Sequence, residues 1–270
     1  MKKSLLSRII VSIFGIPLIL FLVYKGELYF LLLVSVITLF SLYELLKIGK
    51  KYGLDLNPVI GVSAGLIILL EIYFFNFDYL IHILLGILIL LLIFSLKSKS
   101  ENPFKDIAFY LFAFIYVPVF LGCLILIREN PVLDYTVSGK LIIAVLGTIW
   151  TLDTAAYFVG SQFGRHKLLE RVSPKKTVEG AVGAVFGGFI FVIIAKYTFL
   201  TEIEMFKLII VAAALVVFGQ IGDLVESLIK RKAEIKDSSD ILFGHGGFLD
   251  RFDSLIFTAP VIYIIIKFIF

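Results

Sequence analysis

Cysteine is almost missing from this chain. Cys123 is its one thiol, so no intrachain disulfide can form and no cysteine-rich metal site can be built. The three histidines, His82, His166 and His245, stand far apart, and no Cys or His pairs have the spacing that zinc needs. No GKS or GKT follows a glycine-rich turn, which excludes a P-loop. There is no stretch polar enough for a separate soluble domain, no low-complexity segment and no convincing internal repeat. What fills the chain instead is apolar. Of its 270 residues 60% are hydrophobic, and the mean hydropathy is +1.04. A soluble domain of this size cannot bury so much apolar side chain.

Apolar runs near 20 residues recur along the whole length, which predicts an all-α polytopic integral membrane protein. About nine transmembrane helices are expected, near residues 9–24, 28–46, 58–75, 79–96, 107–127, 140–160, 178–199, 206–229 and 252–270. The breaks between them carry Lys, Asn, Asp, Pro and Gly, as turns do. The first apolar run, preceded by Lys2, Lys3 and Arg8, resembles a signal peptide. It has no clear small-x-small cleavage site and is read as a retained first helix.

Lys and Arg fix an orientation. With the N-terminus in the cytoplasm, most of the 25 basic residues fall in inside segments, including Lys47, Lys50 and Lys51, and Lys97, Lys99 and Lys105. That is the positive-inside pattern. It puts the 161–177 and 230–251 loops together on the cytoplasmic face of a cell inner membrane. Residues 1–139 then read as transmembrane scaffold helices, and 140–270 as the catalytic region carrying both loops.

Residues 222–254 read GDLVESLIKRKAEIKDSSDILFGHGGFLDRFDS. Carboxylates interleaved with Lys and Arg, on both sides of a Gly-His-Gly-Gly turn, exceed what a connecting loop requires. They suit a site that holds a divalent cation and a polyphosphate. Asp223, Glu226 or Ser227, and Lys230 share one helix face, with Asp223 roughly 10 Å deeper than Lys230. Asp153 lies at a similar depth in the sixth span. A carboxylate at the bilayer centre costs about 2.5–3.5 kcal/mol on insertion scales and so faces a cavity or a partner. Two such acids under two basic loops imply a polar funnel open to the cytoplasm. A structural Asp–Lys pair is the plainer alternative, and Glu44 and Glu71 can be ordinary interface residues.

Ser173 can cap a helix with Pro174 in its first turn. Lys175 and Lys176 then sit where exposed amides already favour anions. A solvated inside loop explains the same charges. Gly183 and Gly187, with Gly180 and Ala184, give small-xxx-small spacing for close helix packing. Gly244, Gly246 and Gly247 flank His245, and glycines allow amides to approach a phosphate. Asp250 and Asp253 lie three apart at the start of the last span, so one helix face can carry both, and Asp250 meeting Asp223 across two helices would bind a hard cation such as Mg²⁺.

The residues from Ser227 through Ile229-Lys230-Arg231, Lys236-Asp237, Ser239, Leu242 and Gly244-His245-Gly246-Gly247-Phe248 to Asp250-Arg251-Phe252-Asp253 resemble the signature of the phosphatidate cytidylyltransferases, or CDP-diacylglycerol synthases. Asp153-Thr154-Ala155-Ala156-Tyr157-Phe158-Val159-Gly160 and Ser173-Pro174-Lys175-Lys176-Thr177-Val178-Glu179-Gly180 look like two further blocks of that family. Phe243 departs from it, standing where proline or glycine is usual. The resemblance implies a dimeric, multi-helix membrane enzyme that makes CDP-diacylglycerol and pyrophosphate from CTP and phosphatidic acid. It also implies Mg²⁺, with or without a second cation, on Asp223 and Asp250. Lys230 and Arg231 are then expected at the reacting phosphates. Lys175, Lys176, Lys236 and Arg251 would hold substrate phosphates, with Asp153, Asp237, His245, Gly246, Gly247 and Asp253 lining the same substrate site. A homodimer in the lipid bilayer is expected, and no nucleic-acid partner.

The rival from another class is a cation-coupled transporter, which buried acids near mid-membrane also suit. The clustering of charge at one face, with nothing comparable for an outer gate, argues against it. An enzyme joining CDP-diacylglycerol to an alcohol would carry a DG-x2-AR-x8-G-x3-D-x3-D pattern, which is missing.

Overall fold

The computed structural model describes residues 2–98, 100–241 and 246–270, with side chains from residue 13 onward. Each expected span falls on a helix. In order these are α1 (Lys2–Lys25), α2 (Glu27–Lys51), α3 (Pro58–Phe75), α4 (Leu80–Ser95), α5 (Pro103–Phe114), α6 (Phe120–Arg128), α7 (Tyr135–Phe163), α8 (Val178–Thr198), α9 (Met205–Lys232) and α10 (Leu249–Ile269). Among the described residues, seven segments are long and apolar enough to cross a membrane: α2, α3, the joined α5–α6 rod, α7, α8, α9 and α10. Helix α4, with 16 residues, and the stretch Ile13–Lys25 of α1 are shorter apolar helices. The chain is a multi-pass membrane protein, and its outward-facing Leu, Ile and Phe side chains are what lipid requires.

Helix starts follow capping chemistry. Asn57 accepts from the Val59 and Ile60 amides, at 3.0 and 3.4 Å, ahead of Pro58. Asn102 accepts from the Lys105 amide at 3.3 Å ahead of Pro103. Asp134 accepts from the Thr136 amide at 2.8 Å. Each acceptor satisfies an amide that the helix leaves unpaired.

The 107–127 span is not a uniform rod. Ile115–Val119 forms a π-helical turn around Pro118. Proline offers no N–H and its ring crowds the preceding turn, and the wider turn accommodates both.

The 161–177 loop is a second departure. Ser173 does not cap a helix. Ser173–Thr177 is a strand, β2, paired antiparallel with β1 (Lys167–Leu169), with Lys167 opposite Thr177 and Leu169 opposite Ser173. Helix α8 starts four residues later than the Ser-Pro reading requires. Thr177 is its cap, accepting from the Gly180 amide at 3.2 Å. Lys175 and Lys176 therefore lie on an extended strand rather than at a helix N-terminus.

Helix α8 lies along α7 at backbone distance. A Cβ at Gly183 would come within 2.6 Å of Val159, one at Gly187 within 2.6 Å of the Ala155 Cβ, and one at Gly180 within 2.9 Å of the Ala156 carbonyl. The small-residue stripe is thus the seam of this helix pair. Helices α9 and α10 form a second close pair. A Cβ at Gly222 would meet the Phe257 Cβ at 2.6 Å and the Asp253 carbonyl at 3.0 Å.

Candidate active site

The two helix pairs frame one polar cavity of about 590 Å³. Asp153 enters it from α7, Lys175 and Lys176 from β2, Asp223, Glu226 and Lys230 from α9, and Asp250, Arg251 and Asp253 from α10. Asp237, from the connection between α9 and α10, also lines it. The two loops expected on one face do meet: Arg231 Nε donates to the Val172 carbonyl at 3.3 Å.

Helical spacing stacks Asp223, Glu226, Ser227 and Lys230 along α9, and the Ser227 hydroxyl donates to Asp223 Oδ1 at 3.4 Å. Close approach at Gly222 brings Asp253 to the same level. One oxygen each from Asp223, Glu226 and Asp253 lies within 4.8 Å of the others. Lys176 forms an ion pair with Asp223.

Glu226 is buried, with 1% of its surface accessible. The Lys230 ammonium stands 2.6 Å from Glu226 Oε2, yet off the angle of a hydrogen bond, so neither Glu226 oxygen has a hydrogen-bond donor. A buried carboxylate without donors is costly. Three convergent carboxylates, one of them unsatisfied, are the oxygen-only donor set that a hard divalent cation prefers. The residues present therefore fit Mg²⁺.

Asp250 has a different environment. Its Oδ1 accepts from Lys230 Nζ at 2.7 Å. Its Oδ2 accepts from the Gly247 amide at 2.7 Å, the Ser238 amide at 2.9 Å and the Ser238 hydroxyl at 3.0 Å. Both oxygens are thus engaged by α9 and by the segment that leads into α10. Gly246 has φ of +81°, a left-handed conformation that glycine adopts without strain and that turns the Gly247 amide toward Asp250.

The sequence-predicted residues divide accordingly. The structure gathers Asp153, Lys175, Lys176, Asp223, Lys230, Asp237, Asp250, Arg251 and Asp253 around one cavity. Arg231 is exposed and donates to the Val172 and Ile235 carbonyls, the latter at 3.0 Å, tying the two loops together outside the cavity wall. Lys236 is exposed and off the wall. Gly246 and Gly247 act through backbone shape and an amide. His245 lies outside the described residues.

Two further acids were within reach of sequence reasoning. Glu226 had the signal of an acid inside a span, i+3 from Asp223. Glu44, fully buried on α2, carried the same signal as a lone acid near the end of an apolar run. Ser238 showed no signal, because its role depends on two carboxylates distant in sequence.

Comparison with known proteins places residues 6–269 in the cytidylyltransferase family. The phosphatidate cytidylyltransferase of Bacillus subtilis (strain 168) is 35% identical over 270 residues, covering 98% of this chain and 97% of that protein. The phosphatidate cytidylyltransferase of Staphylococcus saprophyticus is 35% identical over 268 residues, covering 98% and 99%. That of Staphylococcus aureus (strain COL) is 33% identical over 268 residues with the same coverage.

Proposed function

The chain belongs to the cytidylyltransferase family, and on that premise we propose that it is a phosphatidate cytidylyltransferase of phospholipid biosynthesis. It transfers CMP from CTP to phosphatidic acid, giving CDP-diacylglycerol and pyrophosphate. The observation that carries this reading is the cavity in which Asp223, Glu226 and Asp253 converge and which Lys175, Lys176 and Arg251 also line. Anionic reactants need such cations around them, and a metal-bridged phosphate needs such acids. Family membership gives the transporter alternative no support.

A phosphate oxygen of phosphatidic acid attacks the α-phosphorus of CTP. The bond from that phosphorus to the bridging oxygen of the β-phosphate breaks, and pyrophosphate leaves. Because the nucleophile is already an oxyanion, no strong base is required, and positioning of two like-charged groups dominates the barrier. Lys175, Lys176 and Arg251 hold substrate phosphates. Lys230, between Glu226 and Asp250, fixes the inner acids. Asp153 and Asp237 border the nucleotide.

Mg²⁺ is the proposed cofactor, as one ion or two, held by Asp223 with Glu226 and Asp253. Asp250 would join that set only by giving up donors from Lys230, Ser238 or Gly247. When bound, the ion supplies positive charge against the phosphate oxygens. The Lys and Arg bias supports a site open to the cytoplasm of a cell inner membrane, with the lipid reaching it sideways between helices, and the family resemblance supports a homodimer.

The test is purified protein given phosphatidic acid, Mg²⁺ and CTP labelled on the α-phosphate. Label should move into the lipid phase, while label on the γ-phosphate should stay in water. A chelator should stop transfer, and Asp223→Asn should lower it by at least 100-fold. Well-folded protein that moves no label across several lipids and metals would overturn the reading.

A further inference from the structure

The buried acid farthest in sequence from the cavity is Glu44, on α2. Its side chain has no accessible surface, yet it accepts four hydrogen bonds. Oε1 takes the Ser239 hydroxyl at 2.5 Å and the Phe248 amide at 3.1 Å. Oε2 takes the Ser238 hydroxyl at 2.8 Å and the Leu249 amide at 2.8 Å. Two of the donors, Ser238 and Ser239, lie within the connection between α9 and α10, and two, Phe248 and Leu249, sit at the N-terminus of α10, where unpaired amides favour a carboxylate. One turn earlier on α2, Phe40 stacks on Phe248 with ring centroids 4.6 Å apart. A Cβ on Gly247 would overlap both the Ser238 hydroxyl and Glu44 Oε2, so the chain is wrapped closely around this carboxylate.

Ser238 carries the connection onward. Its amide donates to Asp250, and its one hydroxyl proton serves either Glu44 or Asp250. Asp250 in turn holds Lys230. We propose that Glu44 is a positioning residue for the transfer reaction: it binds Ser238 and Ser239 of the α9–α10 connection and the N-terminus of α10 to α2 and thereby sets Ser238, Asp250 and Lys230 in place. This inference rests on the function proposed above, and it makes a helix of the N-terminal scaffold part of the working site.

The pairing of donors makes the idea testable. Each Glu44 oxygen faces one hydroxyl, which can turn round and accept, and one backbone amide, which cannot. In Glu44→Gln the new NH₂ group must face one of the two amides, whichever way it is flipped. Hydrogen exchange of the peptide 246–252 reads those amides directly and does not depend on activity. In Glu44→Gln that exchange should rise at least tenfold, with peptides of α7 and α8 unchanged. The kcat for transfer should fall at least tenfold, with KM for CTP within threefold of the parent. Ser238→Ala, which removes one shared hydroxyl and leaves both carboxylates, should give the same pattern at about threefold. Unchanged exchange at 246–252 in both variants would overturn the proposal, as would loosening spread evenly over all helices. Loosened exchange with kcat within twofold of the parent would overturn it too. If the parent protein has no transferase activity, the assay in the preceding subsection fails first, and the exchange arm still decides whether Glu44 anchors the connection.

Discussion

Replacing Lys230 by Met tests the electrostatics of the cavity most severely. Lys230 is buried, with 8% of its surface accessible, and its ammonium stands 2.6 Å from Glu226 and 2.7 Å from Asp250. Methionine keeps the length and the apolar stem and removes the charge. Breaking a buried pair from one side costs about 3–5 kcal/mol, because the partner is left charged and uncompensated. The two acids do not share that penalty equally. Asp250 keeps the Ser238 and Gly247 donors, whereas Glu226 keeps none. The second-site consequence is therefore asymmetric. Glu226→Gln in the Lys230→Met background should recover about 1–3 kcal/mol, a coupling of the size expected for contacting groups. Asp250→Asn should recover nothing, since asparagine offers one acceptor oxygen where several donors converge. Unfolding in mixed micelles, followed by fluorescence of Trp150, the chain's one tryptophan, gives the stabilities. A Lys230→Met protein within 1 kcal/mol of the parent would refute the reasoning. So would rescue by Asp250→Asn rather than by Glu226→Gln.

Three other outcomes follow from the geometry. Lys176→Ala, which removes the partner of Asp223, should raise KM for CTP about tenfold or more, and Lys176→Arg should recover part of that loss, both measured by initial rates. Gly183→Val should force α8 off Val159 of α7 and destabilise by about 1–3 kcal/mol, read as a lower melting temperature in detergent. Arg128 is buried and donates to the Val23 and Tyr24 carbonyls, at 2.8 and 3.0 Å, and to the Tyr135 carbonyl at 3.2 Å. Arg128→Ala should therefore destabilise by about 2–4 kcal/mol, leaving several buried carbonyls without a donor, and KM for CTP should not change.

The membrane architecture was legible because its signal is local. Twenty apolar residues between breaks containing Asn, Asp, Pro or Gly can be read without knowing what they touch, and Asn57-Pro58 and Asn102-Pro103 mark helix starts in the same way. Ser173-Pro174 misleads because it satisfies the same local rule, while the pairing of Lys167 with Thr177 depends on a second strand. The site divides along the same line. Asp223 and Lys230 are placed by the helical period of one segment, and Lys175, Lys176 and Arg251 by charge beside them. The surroundings of Asp250 depend on how Gly246 turns an amide, which spacing does not encode. The contact of Glu44 with Ser238 joins residues 194 apart, and no local pattern announces it.

The seam between α7 and α8 has a consequence for how this protein can change over evolutionary time. Where Gly180, Gly183 and Gly187 meet Ala156, Val159 and Ala155, backbone lies almost on backbone, and no rotamer is available to absorb an added methyl group. Lipid-facing positions of α4 can exchange one apolar residue for another singly. The seam cannot: a larger residue on one helix is tolerated only with a smaller one opposite. The wall that carries Asp153 on one side and follows Lys176 on the other is thus bound to drift in matched pairs, and slowly, while the outer helices drift freely.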